Sequence, residues 1–136
     1  MAFLLDTNVL SELRKGAKCN PRVRKWAVST KGHRHCISVI SLGEIRKGIE
    51  NLRRNAPDQC PSFEGWLEAL RSDYSKDILP VSEEIMNRWG LLQAAQSLPV
   101  LDSLIAASAL EHRLTVATRN VRDFEKTGVK LVNPFA

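Results

Sequence analysis

Four acidic residues occupy positions that solvent exposure does not readily explain. They are Asp6 after the apolar run AFLL, Glu44 in ISVISLGEIRKGIENL, Asp102 at the start of the most apolar helix, and Asp123 after TVATRN. Gathered at one point, such carboxylates repel one another: two charges ~4 Å apart at an effective dielectric near 20 repel by about 4 kcal/mol. A hard divalent cation relieves this repulsion, and Mg²⁺ or Mn²⁺, bound through carboxylates and water, is the natural occupant.

An acidic pocket that holds one or two such cations is suited to phosphodiester cleavage. The cation polarises a phosphoryl oxygen and activates the water that attacks in line. Basic residues beside the pocket are then needed to hold a polyanion that the acids repel. The basic residues expected to do so are Arg14, Lys15, Arg46, Lys47 and Arg119.

Each acid also has a purely local interpretation, and these interpretations remain open. Asp6 is a possible N-cap for the helix that follows it. The segment Ser41–Glu44 reads as a capping box, in which Glu44 reaches back to a backbone N–H. Asp102 is a possible N-cap, and Asn120 is a possible cap for a turn that holds Asp123.

The elements that position these acids alternate between strand and helix. Strands are predicted at 2–5, 35–39, 114–117 and 129–132, with a short extended piece at 78–81. Helices are predicted at 8–15, 21–29, 42–54 and 61–74, after an N-cap at Ser82, and around the apolar segment 104–110. Strands separated by helices favour a parallel sheet covered on both faces, with function at the carboxyl ends of the strands.

Charge is unevenly distributed along the chain. Residues 10–56 contain 12 of the 20 Lys and Arg residues against three acids, whereas residues 57–86 contain seven acids and two bases. A one-sided basic region is typical of proteins that bind a polyanion, although solvated helix faces have the same composition.

Length and composition limit the class of protein. With 136 residues and 43% hydrophobic content, the chain is expected to form one domain over residues 1–136. No segment approaches the roughly 20 apolar residues of a membrane span, and no signal peptide is recognisable. The three scattered cysteines predict neither a disulfide framework nor a zinc site, which favours a reducing cytoplasm.

The blocks FLLDTNVLSELRKG, ISVISLGEIRKGIENL, LPVLDSLIAASALEHRLTVATRNVRDF and LVNPF resemble the PIN-domain ribonucleases, and specifically the VapC-type toxins of toxin–antitoxin pairs. The resemblance implies a three-layer α/β/α fold with a central parallel sheet and metal-dependent endoribonuclease activity. By motif, Asp6, Glu44 and Asp102 match the three core acids. Asp123 matches the fourth acid, and Asp123, Asn120 or both would complete the shell of a second cation. Thr7, Asn8 and Thr118 match polar residues that line the site.

The same resemblance implies partners that composition does not reveal. These are an RNA substrate, a second copy of the chain in a homodimer, and a cognate VapB-type antitoxin that lies over the active-site groove. Operator DNA would be bound only through the antitoxin. One departure from the family pattern is Arg113 after His112, where relatives commonly have glycine. If that helix exit needs a left-handed residue, arginine there costs on the order of 1 kcal/mol.

Two other functions are compatible with parts of the pattern. A phosphohydrolase with Asp6 as covalent nucleophile usually has a second Asp two residues on, but this chain has Asn8. A non-catalytic module that binds nucleic acid or a protein partner would not need the full set of acids.

Overall fold

The computed structural model describes residues 1–136, in which strands and helices alternate. The strands are β1 (Ala2–Leu5), β2 (Arg34–Ser38), β3 (Ile78–Leu79), β4 (Thr115–Ala117) and β5 (Leu131–Val132). The helices are α1 (Thr7–Leu13), α2 (Pro21–Ser29), α3 (Val39–Asn55), α4 (Cys60–Asp73), α5 (Glu83–Ala95), α6 (Val100–His112) and α7 (Val121–Glu125). Single 3₁₀ turns at Gly16–Lys18 and Pro57–Gln59 precede α2 and α4.

The five strands form one parallel sheet in the order β3-β2-β1-β4-β5, so β1 is central. Pairing continues past the strand ends. The backbone N–H of Asp6 donates to the Ala117 carbonyl at 3.0 Å. The backbone N–H of Thr118 likewise donates to Val132 at 3.0 Å. The carboxyl ends of β1, β2 and β4 therefore lie side by side at one edge, as the predicted parallel sheet requires.

Helices cover both faces of the sheet. Because successive side chains of a strand point to opposite faces, Phe3 and Leu5 enter one buried cluster while Leu4 enters another. The first cluster takes its remaining residues chiefly from α1, α3 and α4, and the second chiefly from α6, α7 and the loops around β4 and β5. The predicted three-layer α/β/α fold is confirmed.

The start of α3 differs from the prediction. The helix begins at Val39 rather than near residue 42, and Ser38 is its N-cap, accepting a hydrogen bond from the Ile40 N–H at 3.0 Å. The capping-box interpretation of Ser41–Glu44 is therefore wrong, because both residues lie inside the helix. Their side chains are free for tertiary contacts.

Helix α6 also begins earlier than its apolar run suggests. Pro99 is the residue before its first turn, so Asp102 is the third helical residue and the N-cap interpretation is wrong. The middle of α6, from Ser103 to Ala109, is almost entirely buried, as predicted. The helix ends at His112, and its C-cap Arg113 is the only non-glycine residue with positive φ (φ 55°, ψ 46°), which confirms the left-handed exit.

The other predicted boundaries lie within two residues of the observed ones, whereas the short helix α7 was not predicted. The Ser82 N-cap on α5 is confirmed by its bond from the Ile85 N–H. All three cysteines are buried and free. None of the helices combines the length and apolarity needed to cross a bilayer.

Candidate active site

Asp6 is the most firmly held acid of the candidate site. It leaves the central strand β1 and is only 4% exposed. Its Oδ1 accepts from the Thr7 N–H at 2.8 Å, so Asp6 also caps α1. Its Oδ2 accepts from the Thr118 hydroxyl at 2.8 Å and from Asn8 Nδ2 at 3.3 Å. Capping and a role in the site are therefore compatible, because each uses a different oxygen.

Asn8 and Thr118 join the ends of β1 and β4. Asn8 Oδ1 accepts from the Arg119 N–H at 3.0 Å, while its Nδ2 lies 3.3 Å from the Thr118 hydroxyl. Thr118 is fully buried and accepts from the Asn120 N–H at 3.0 Å. These bonds orient the Asp6 carboxylate through groups more than 100 residues apart in sequence.

Glu44 approaches from α3 on the β2 side. Its Oε1 accepts from the Thr7 hydroxyl at 2.8 Å, and that hydroxyl lies 2.9 Å from the Ser41 hydroxyl. A hydroxyl has one proton to give, so Thr7 donates to Glu44 and accepts from Ser41. Ser41 is completely buried and was missed as a site residue, since its sequence context resembled a helix cap.

Asp102 differs from Asp6 and Glu44 because no protein group donates to its side chain. It lies in the first turn of α6 and is partly buried. Burial, followed in order by the charges of Asp6, Asp123 and Glu44, raises the pKa of Asp102 to about 6. Asp6, Asp123 and Glu44 therefore lie close enough to Asp102 for their charges to act on it.

Asp123 and Asn120 lie at the exposed rim of this region. Asn120 precedes α7, but its side chain makes no capping bond. Its backbone carbonyl instead accepts from the Asp123 N–H at 3.1 Å, and both side chains are exposed. The interpretation of Asn120 as a side-chain cap for this turn is therefore wrong. Both side chains stay available to a ligand.

Burial is also the largest cause of the raised pKa of Asp6 and of Glu44. Hydrogen bonds from Thr118, Thr7 and Asn8 oppose that rise at Asp6, as Thr7 does at Glu44. Three carboxyls with raised pKa thus lie at one edge of the sheet. When they are ionised, binding a proton or a cation is favourable.

The donor set suits a hard cation, although the side chains do not form a closed cage. No three Asp, Glu, His or Cys side chains lie close enough together to make a complete metal site. Mg²⁺ keeps several water ligands and takes only one or two carboxylates directly. An open set of carboxylates therefore fits such an ion, with Asp6 buried, Glu44 and Asp102 half-buried and Asp123 exposed.

The basic residues predicted to hold RNA have different surroundings. Arg46 pairs with Glu64 and Glu50, and Lys15 pairs with Glu12. Arg14 lies over the Phe63 ring at 3.7 Å, and Arg119 lies over the Phe135 ring at 4.0 Å. Lys47 is exposed. Arg14, Arg119 and Lys47 have no carboxylate partner, so their charge is available to a ligand.

A known protein family matches nearly the whole chain. A sequence model described as the PIN domain matches residues 3–130. The chain belongs to the PIN-domain family. This PIN domain is 30% identical to Toxin FitB of Neisseria gonorrhoeae over 98% of both chains. It is also 30% identical to VapC ribonuclease Y4jK of Sinorhizobium fredii, covering 98% of this chain and 97% of the relative.

Solved structures support the same assignment and are consistent with a VapC-type toxin. The PIN domain superposes on the crystal structure of FitAcB from Neisseria gonorrhoeae with a TM-score of 0.82 and 29% identity, covering 98% of both chains. A toxin–antitoxin complex from Klebsiella pneumoniae matches with a TM-score of 0.66 and 25% identity over 96% of both chains.

Proposed function

We propose that this PIN domain is a divalent-metal-dependent endoribonuclease that acts as the toxin of a toxin–antitoxin pair in the cytoplasm. The observation that carries the proposal is the delivery of four acids, from four separate segments, to the carboxyl edge of one parallel sheet. Relatives named as a ribonuclease and as a toxin support the same activity.

The acids are proposed to have different roles, because they receive different numbers of hydrogen bonds. Asp6, held by three donors, is the fixed anion of the site. Glu44 is oriented by Thr7 and is less buried. Asp102 has no donor and a pKa of about 6, so it changes protonation most readily near neutral pH. Mg²⁺ or Mn²⁺, held by these carboxylates, would supply Lewis-acid activation of the phosphodiester and of the attacking water.

The deciding experiment is replacement of Asp6 by Asn, which keeps the size of the side chain but removes its charge. Purified Asp6→Asn protein is expected to lose metal-dependent RNA cleavage and its inhibition of growth, while its circular dichroism spectrum stays unchanged. The matched control is Asp58→Asn, the same change at an exposed acid, which should retain cleavage. Full activity in Asp6→Asn would overturn the proposal, and RNA binding by the wild type without cleavage under any divalent metal would support a non-catalytic module.

The partner assignments follow from the same proposal. A cognate VapB-type antitoxin would cover the acidic edge, a second copy of the chain would complete a homodimer, and operator DNA would be bound by the antitoxin. The toxin–antitoxin complex among the matching structures supports the first of these. Co-expression with the short reading frame beside the gene, followed by co-purification, tests whether a complex forms and whether cleavage is inhibited.

A further inference from the structure

A basic cavity lies next to the acidic site. It has a volume of about 670 Å³ and is lined by Arg14, Lys15, Lys18, Ser62 and Trp66. No acidic side chain lines it, although Lys15 is also paired with Glu12 at 3.1 Å. Three cations around an open cavity raise the local concentration of a polyanion.

Arg14 is held in place before any ligand arrives. Its guanidinium lies 3.7 Å from the Phe63 ring centroid, and Nη2 donates to the Ser62 hydroxyl at 2.6 Å. Its Nε is buried without a partner, so the Ser62 hydrogen bond leaves part of the guanidinium unsatisfied. An arginine fixed on a ring loses less side-chain entropy when it binds a phosphate, and its planar fork suits phosphate oxygens.

Trp66 connects the basic cavity to the acidic site. It lines the cavity and also a narrower cleft of about 170 Å³ whose other lining residues include Thr7, Ser11 and Glu44. Thr7, Ser11 and Arg14 are spaced by four and three residues, which places them on one face of α1. At 1.5 Å per residue, Arg14 lies roughly 10 Å along the helix from Thr7.

We infer that this basic cavity binds a phosphate of single-stranded RNA near the cleavage position, with an adjacent unpaired base stacked on Trp66. The inference rests on the proposed ribonuclease function and adds a substrate-positioning subsite to it. A tryptophan face beside cations is suited to an unpaired base and its backbone, because every base has a π-face and every nucleotide a phosphate.

Binding is measured with a fluorescent single-stranded oligoribonucleotide by anisotropy at several salt concentrations. All variants carry Asp6→Asn so that the RNA stays intact. Arg14→Gln and Lys18→Gln should each reduce the slope of log affinity against log salt by about 0.7, the value for one lost phosphate contact on a single strand. Trp66→Ala should weaken binding about fivefold or more with little change in slope.

Arg71→Gln is the control. Arg71 lies on α4, the helix that carries Trp66, and the change removes one exposed charge outside the basic cavity. It should leave both affinity and slope near those of the parent. Lys18 is exposed and makes no side-chain hydrogen bond, so Lys18→Gln keeps the test valid if Trp66→Ala or Arg14→Gln fails to fold.

Unchanged RNA affinity in all three variants would overturn the inference while leaving the ribonuclease proposal intact, provided that wild-type cleavage depends on Asp6. Loss of antitoxin binding with unchanged RNA affinity would assign the basic cavity to the protein partner instead. If the parent binds no RNA and the wild type cleaves none, both proposals fail together.

Discussion

The four acids of the site differ in how much support the protein gives each carboxylate. Asp6 receives three hydrogen bonds and Glu44 receives one, whereas the side chains of Asp102 and Asp123 receive none. Hydrogen bonds to a carboxylate lower its pKa and burial raises it. Asp102, partly buried and without a donor, therefore bears the largest unrelieved cost of ionisation.

This cost predicts how the metal-free protein responds to pH. The folded pKa of Asp102, about 6, lies above its ordinary value, so the folded state binds more protons between about pH 4 and 6. Stability should therefore fall as pH rises through that interval. Asp102→Asn in the presence of a chelator should raise the melting temperature at pH 7.5 and have little effect at pH 4. An equal effect at both pH values would contradict this explanation.

A second prediction concerns the hydroxyl of Thr7. Thr7→Val keeps the shape of the side chain but removes the donor to Glu44 and leaves the buried Ser41 without its partner. Loss of such an orienting group costs about 10- to 100-fold in metal affinity or activity. Cleavage rates measured over a range of Mn²⁺ concentrations should show this loss, and Thr7→Ser should restore most of it.

At the scale of elements, each strand end or helix start contributes a different part of the site. The end of β1 carries Asp6, α3 carries Glu44, the first turn of α6 carries Asp102, and the segment after β4 carries Thr118 and Asp123. The central position of β1 in the sheet brings β2 and β4 to its two sides. A shift of any one element would therefore separate the acids.

The exit of α6 offers a test of local strain. Arg113 has φ 55°, which costs a non-glycine residue on the order of 1 kcal/mol. Arg113→Gly should increase the free energy of unfolding by up to about 1 kcal/mol. Cleavage should stay unchanged, because Arg113 lies at the opposite end of α6 from Asp102. Gly128→Ala is the opposite control, since Gly128 has φ 78° and the change should lower the melting temperature. A lower melting temperature in Arg113→Gly would contradict the strain argument.

At the scale of the whole molecule, the acids concentrate negative charge within a chain of net charge +5. A divalent cation held by these acids, as proposed, would reduce their repulsion and would bind only the folded state. Ligands of that kind stabilise a protein by about 2.7 kcal/mol at 100 times their dissociation constant.

Mn²⁺ or Mg²⁺ should therefore raise the melting temperature of the wild type by several degrees at pH 7.5. The rise should shrink near pH 5, because the pKa of Asp102 is about 6 and its proton competes with the cation. Asp6→Asn and Asp102→Asn should lose most of the rise, whereas Asp58→Asn should keep it. Equal thermal shifts in all four proteins would place cation binding outside the acidic edge.

Local sequence by itself determines many of the secondary-structure elements of this protein. The apolar run Ala2–Leu5, the Ser82 cap and the apolar segment of α6 predict their elements because hydrophobic spacing and capping act over a few residues. Motif spacing likewise singled out Asp6, Glu44, Asp102 and Asp123.

Tertiary structure alone decided what each of these side chains touches. Ser41 was read as a cap because S-x-x-E is a local signal, but Ser38 caps α3 and leaves Ser41 to meet Thr7 across 34 residues. The roles of Thr118 on Asp6 and of Trp66 beside Arg14 depend on the packing of distant segments. Sequence spacing specifies a contact only within an element, whereas contacts between elements exist only after the sheet has ordered its strands.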